Sequence, residues 1–253
     1  MASTLLFVRV LLSCVFVFQT LYLAAAAPTV ISDPGPDDCR ISGLRSEKIL
    51  ADFTDHRSAH NPLGNLLPVG IYRDISWNGF TLGNSVLGTG STNIFPIDAK
   101  APYPITRFLV DELTQVTPGF TITFPNSPSR LFTLHSLNFH CLSLVVSTVP
   151  TSVLIECVVV FTPFVGGVRR TNFEAGFKPR TGSEIPGVIT PKSPQAFVEF
   201  PETFCGVTGV EVSYKSGRTA GPVLGLGGSG VGVPQDIAMM AMDNVNYTLY
   251  YRT

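Results

Sequence analysis

Charge is scarce in this sequence. Asp, Glu, Lys and Arg make up 14% of its 253 residues, and 17 basic against 18 acidic side chains leave a formal net charge of −1. Ordinary soluble domains carry about 25% charged residues. A nucleic-acid partner would need a basic stripe to meet phosphates, and none is present. The basic cluster that would hold a protein on an anionic bilayer is missing too. Sustained helical periodicity is absent, which argues against a helical domain. Tryptophan occurs once, at Trp77. The cysteines lack the spacing of a zinc site. Beyond residue 26 no apolar run is long and unbroken enough to cross a bilayer, and Tyr250-Tyr251-Arg252-Thr253 is not the hydrophobic tail of a lipid anchor.

What is present begins with an export signal. Arg9 opens a basic start, Val10 to Leu23 is almost wholly apolar, and Ala24 and Ala26 occupy the small-residue cleavage positions. Residues 1–26 therefore read as a signal peptide cleaved after Ala26, the run being short for a membrane span. The expected location is secreted and extracellular, with no membrane contact after cleavage. Residues 27–45, rich in Pro, Asp and Gly, read as an extended N-terminal arm, and residues 46–253 as one domain. Cys39, Cys141, Cys157 and Cys205 remain after Cys14 leaves with the signal, an even number suited to an oxidising compartment. Four cysteines allow three pairings. Cys141 with Cys157 is favoured because they lie on neighbouring strands with a short loop between, which leaves Cys39 with Cys205.

The stretch Leu131 to Phe164 organises the domain. Leu137, Phe139 and Cys141 fall two apart, as do Val153, Ile155, Cys157, Val159 and Phe161, so each set lines one face of a strand. The other face of the first strand carries Asn138 and His140. That of the second carries Leu154, Val158 and Val160, so the second strand is expected to be covered on both sides. Further strand patterns are Lys48–Phe53, Val69–Leu82, Gly119–Phe124, Val168–Phe177, Ala196–Phe200, Val207–Tyr214 and Ile237–Tyr251. In the second of these, Ile75 and Trp77 fall on one face and Phe80 on the other. Gly83–Pro104 and Gly176–Pro194 read as long loops, as does Gly217–Gly232. Many short strands with Gly/Pro turns mean an all-β fold. Long connections favour a single β-sandwich of Greek-key or jelly-roll topology over a meander.

Candidate sites are few. Gly225-Leu226-Gly227-Gly228-Ser229-Gly230 fits a dinucleotide fingerprint, but the following Val-Gly-Val-Pro cannot open a helix, so it reads as a loop. His135 and His140, five apart, are expected on opposite faces of their strand. His56 and His60 lie beside Asp55 in a polar loop. A glycosidase needs two carboxylates flanking a cleft; Glu156, Glu174, Glu184, Glu199, Glu202 and Glu211 are available with no reason to pair any two. Asn246-Tyr247-Thr248 is an N-glycosylation sequon on the strand face opposite Tyr247. Ligand-binding positions are expected among Tyr72, Asp98 and Tyr103 and in the Gly217–Gly232 loop. Trp77 offers a flat face suited either to sugar stacking or to core packing.

One combination of segments carries a resemblance. Gly70, Tyr72, Ile75, Trp77 and Phe80 form a G-x-Y-x-x-I-x-W-x-x-F segment. Phe132, Leu134 and Ser136 lead to Cys141, and Asp243, Asn244, Val245, Tyr247 and Thr248 close the chain. With the signal peptide, residues 46 to 251 resemble a group of secreted proteins of filamentous fungi with no assigned biochemistry. The resemblance implies a jelly-roll sandwich of the galactose-binding, carbohydrate-binding-module type, and it supports the Cys141–Cys157 pairing. It does not imply an enzyme. Related carbohydrate-binding jelly rolls hold a structural calcium between an early acid and a late Asp, which would draw on Asp52, Asp55 and Asp243. Here Phe53 is followed by Thr54 and Asp55, where the group carries two adjacent acids. No other cofactor is implied. The leading expectation is a non-catalytic secreted protein that binds carbohydrate or associates with the cell wall, its partner a wall polysaccharide or glycan. The alternatives are a secreted polysaccharide hydrolase and a protein-binding surface or effector-like protein.

Overall fold

A computed structural model describes residues 39, 41–53, 68–83, 103–107, 117–145, 151–179, 195–219 and 238–252. Residues 1–38, among them the expected signal peptide, and Asp55, His56, His60, Asp98, Glu184 and residues 220–237 lie outside these residues. The described residues belong to one compact unit, Gly35–Thr253.

The fold is all-β and antiparallel. Among the described residues twelve strands follow in chain order: β1 Arg45–Ala51, β2 Pro68–Tyr72, β3 Ile75–Gly83, β4 Tyr103–Arg107, β5 Gly119–Thr121 and β6 Ser129–Val145. Then come β7 Thr151–Val165, β8 Val168–Arg169, β9 Phe173–Phe177, β10 Ala196–Glu199, β11 Gly209–Thr219 and β12 Ala238–Tyr251. Among the described residues the one helical turn is a 3-10 turn, Glu202–Phe204. All strands join one sheet. Its order runs β12-β4-β3-β5-β11-β7-β6, and β6 pairs back onto β12, so the sheet rolls nearly closed into a barrel. The remaining strands extend it: β1 beside β12, β2 beside β3, β8 and β9 beside β7, and β10 beside β6.

The long strands bend where an extra residue breaks the alternation. Between Asp243 and Tyr247 the register of β12 against β6 shifts twice, and Asn244 takes φ 49°. Such bulges kink a strand and let a sheet curl. The same break reverses the inward set of β6, from Phe132 and Leu134 to Leu137, Phe139 and Cys141, all fully buried. His135 and His140 consequently both lie on the strand face opposite that set, where unbroken alternation would separate them. His135 bonds Thr248 across the strands (2.7 Å), while His140, opposite Ala241, is buried with its ring 6.2 Å from that of Phe177. Gly79, at φ 70°, does the same to β3. Trp77 and Phe80 both turn inward, their rings 6.0 Å apart, instead of taking opposite faces.

The β6–β7 hairpin is shorter than its sequence pattern. Only Leu142–Val145 pairs with Thr151–Leu154. Beyond that the strands diverge, and β6 takes β10 as its neighbour while β7 takes β9. A disulfide between Cys141 and Cys157, Cα atoms 6.2 Å apart, ties the two strands at the fork. The second disulfide joins Cys39 to Cys205, and the Cys39 carbonyl accepts a hydrogen bond from Tyr250 Oη. The tip of the arm is thereby held over the outer face of β12. The outer face of β7 is not covered as expected: Leu154, Val158 and Val160 are half-buried and Glu156 is exposed.

Two runs of touching rings fill the interior. One joins Tyr72, Phe53, Trp77, Phe80, Phe120, Phe132 and Tyr247. The other joins Phe177, Phe139, Phe161, Phe200, Phe173 and Phe204. Rings of this size bury about 150–250 Å² each, which makes them the main source of stability here.

Candidate functional site

The turn between β2 and β3 gathers the most polar chemistry onto a rigid support. Tyr72 pairs with Ile75, leaving Arg73 and Asp74 as a two-residue turn with φ of 48° and 59°. Positive φ at both central positions defines a type I′ turn, which usually takes Asn-Gly. Side chains there cost about 1–3 kcal/mol each, so the surroundings must hold them. They do. Tyr247 Oη donates to the Arg73 carbonyl (2.8 Å), and Trp77 Nε1 donates to the Tyr72 carbonyl (3.3 Å). Tyr251 Oη donates to Asp74 Oδ2 at 3.4 Å. Phe53, itself at φ 56°, stacks on the Tyr72 ring at 4.8 Å.

Arg73 is exposed at the turn, Asp52, Asp74 and Tyr251 are half-buried around it, and Tyr247 lies fully buried beneath. The Arg73 guanidinium lies over the Tyr72 ring, 5.4 Å from its centroid, and Nε donates to Tyr72 Oη at 3.0 Å. A terminal nitrogen of Arg73 is 3.9 Å from Asp52 Oδ1, and both side chains are about one-third exposed, at 37% and 33%. Burial raises the Tyr247 hydroxyl well above the usual phenol range. Burial, then the neighbouring Asp74, pushes Tyr251 up to about 12. Both phenols therefore stay protonated at neutral pH and act as donors. The arrangement suits recognition of a hydroxyl-rich ligand by planar donors and acceptors.

The other expected positions fare differently. Trp77 is 2% exposed and belongs to the core, not to a sugar platform. The Tyr72 ring is likewise buried against Phe53, so only its hydroxyl edge reaches the site. Tyr103 opens β4 opposite Gly83. Of the expected calcium set, Asp55 lies outside the described residues, which leaves Asp52 and Asp243 to be placed. Asp243 is 3% exposed on the outward side opposite Asn138, with Oδ1 accepting the Asn244 N–H (2.7 Å), while Asp52 faces Arg73. No three His, Cys, Asp or Glu side chains converge among the described residues. Of the glutamates, Glu174 is taken up by Lys215 and Glu211 by Arg169, while Glu156, Glu199 and Glu202 are exposed.

Sequence reasoning missed Arg73, Asp74 and Tyr251. The turn has no glycine to mark it, and the pairing of distant tyrosines with it depends on the closure of the sheet. The chain matches no protein-family model, and a search of curated proteins returns no match.

Proposed function

We propose that this is a secreted, non-catalytic protein that binds carbohydrate, with a cell-wall polysaccharide as its ligand class. The observation that carries the reading is the Arg73 turn. A guanidinium, two carboxylates and three phenol hydroxyls are clustered at a turn in a strained conformation, whose carbonyls Tyr247 and Trp77 hold while Tyr251 bonds the Asp74 carboxylate and Phe53 stacks on Tyr72. Strain of this kind concentrates at recognition sites, because a preformed site loses little entropy on binding. Two disulfides suit an oxidising compartment and agree with the export signal. The non-sequential strand order and bent long strands are also compatible with the finer reading, a jelly roll of the galactose-binding type. The test is co-sedimentation of the mature chain, residues 27–253, with insoluble chitin, β-glucan and cellulose. Retention on one polymer and not the others is the expected result. No retention on any would remove these polymers as ligands.

A further inference from the structure

We propose that Asn246 carries an N-linked glycan that caps the outer face of the sheet across β1, β12, β6 and β10. This rests on the export reading, not on carbohydrate binding. Asn246-Tyr247-Thr248 is the only N-x-Ser/Thr sequence in the chain with x other than Pro. The strand sends its two key side chains outward. Val245, Tyr247 and Leu249 are fully buried, while Asn246 and Thr248 between them are half-buried on the opposite side.

The surroundings leave room for a sugar. Asn246 stands opposite Leu50 on β1 and Ser136 on β6, and Ser136 stands opposite Glu199 on β10. Leu50 is 49% exposed and Glu199 is exposed, so the row is open at both ends. Phe197, 60% exposed, lies two pairs along and so on the same side. A glycan rooted at Asn246 would shield Leu50 and Phe197, which otherwise leave apolar surface beside the edge strands β1 and β10.

The fold also dictates when the sugar is added. In the folded chain the Thr248 hydroxyl is held by His135, and β12 is paired on both edges. Transfer therefore precedes docking of this last strand. In that step Nδ2 of Asn246 bonds to the sugar C1, the bond from C1 to the pyrophosphate of a lipid-linked oligosaccharide donor breaks, and one amide proton is lost to a base. Donor and transferase are those of the eukaryotic secretory lumen.

The full chain is expressed in a eukaryotic secretory host, and the medium is treated with peptide-N-glycosidase. One downward mass shift is expected, with Asn converted to Asp at position 246. Asn246→Gln and Thr248→Ala lose the shift, while Thr248→Ser, which preserves both hydroxyl and sequon, retains it. Secreted protein with no enzyme-sensitive mass, or a shift that survives Asn246→Gln, overturns the glycan while leaving export intact. Retention of unmodified chain inside the cell overturns the glycan and export together.

Discussion

Replacing Trp77 tests the interior directly. Its indole touches Phe53 at 5.1 Å, Phe120 at 5.2 Å and Phe80 at 6.0 Å, and its N–H reaches the Tyr72 carbonyl. Trp77→Ala removes this contact surface and leaves a cavity bounded by three rings, costing about 4 kcal/mol. That is a large share of a stability of about 5–15 kcal/mol. With a urea dependence of about 2.5 kcal/mol per M, the unfolding midpoint falls by about 1.6 M. Trp77→Phe keeps most of the packing but strips a hydrogen bond from a buried carbonyl. It costs about 1–2 kcal/mol and moves the midpoint by about 0.6 M. Circular dichroism follows both variants, since neither retains tryptophan. In the wild type, indole emission should resist acrylamide quenching until the same urea concentration that melts the β signal. A Trp77→Ala midpoint within about 0.3 M of wild type, or an indole quenched as readily as free tryptophan, would refute the packing argument.

Two further perturbations follow from buried chemistry. Burial pushes His140 down to about 4 from 6.5. Below pH 6.5 the unfolded chain gains a proton that the folded chain refuses, so the stability present above 6.5 is lost progressively as pH falls toward 4. The loss reaches about 3 kcal/mol there; His140→Gln should flatten the urea midpoint between pH 6.5 and 4.5, and an unchanged slope would count against the burial. Replacing Cys141 and Cys157 with Ser opens a loop of 16 residues separation, lowering stability by about 3 kcal/mol through the unfolded chain, read as an earlier urea midpoint.

The strands were legible because the apolar residues alternate with so few interruptions. Val245, Tyr247 and Leu249 declare an inward face, and Ile155, Cys157, Val159 and Phe161 declare another, and all are buried. Two errors of facing arise where one residue breaks that period. Gly79 puts Phe80 on the same side as Trp77, and the bulge opposite Asn246 puts His135 on the same side as His140. A period of two cannot locate its own interruptions, because the extra residue is set by the curl of the closed sheet. The short pairing of β6 with β7 was hidden for a related reason: β9 and β10 compete for the same edges, and they come from later in the chain. The candidate site was half legible. Tyr72 and Asp52 were singled out, but Arg73 and Asp74 gain their significance only when Tyr247 and Tyr251, more than 170 residues away, fold back onto them.

The most direct test of the recognition surface is a binding isotherm on chitin, β-glucan and cellulose for wild type, Arg73→Ala and Glu174→Gln, the last altering an exposed ion pair outside the Arg73 cluster. Loss of a charged hydrogen-bond donor of this kind costs about 1.5–3 kcal/mol. The Arg73→Ala isotherm should therefore weaken by about tenfold or more on the polymer that wild type binds, while Glu174→Gln matches wild type. Equal affinity for all three proteins, or binding by none, would contradict the assignment of carbohydrate recognition to the Arg73 turn.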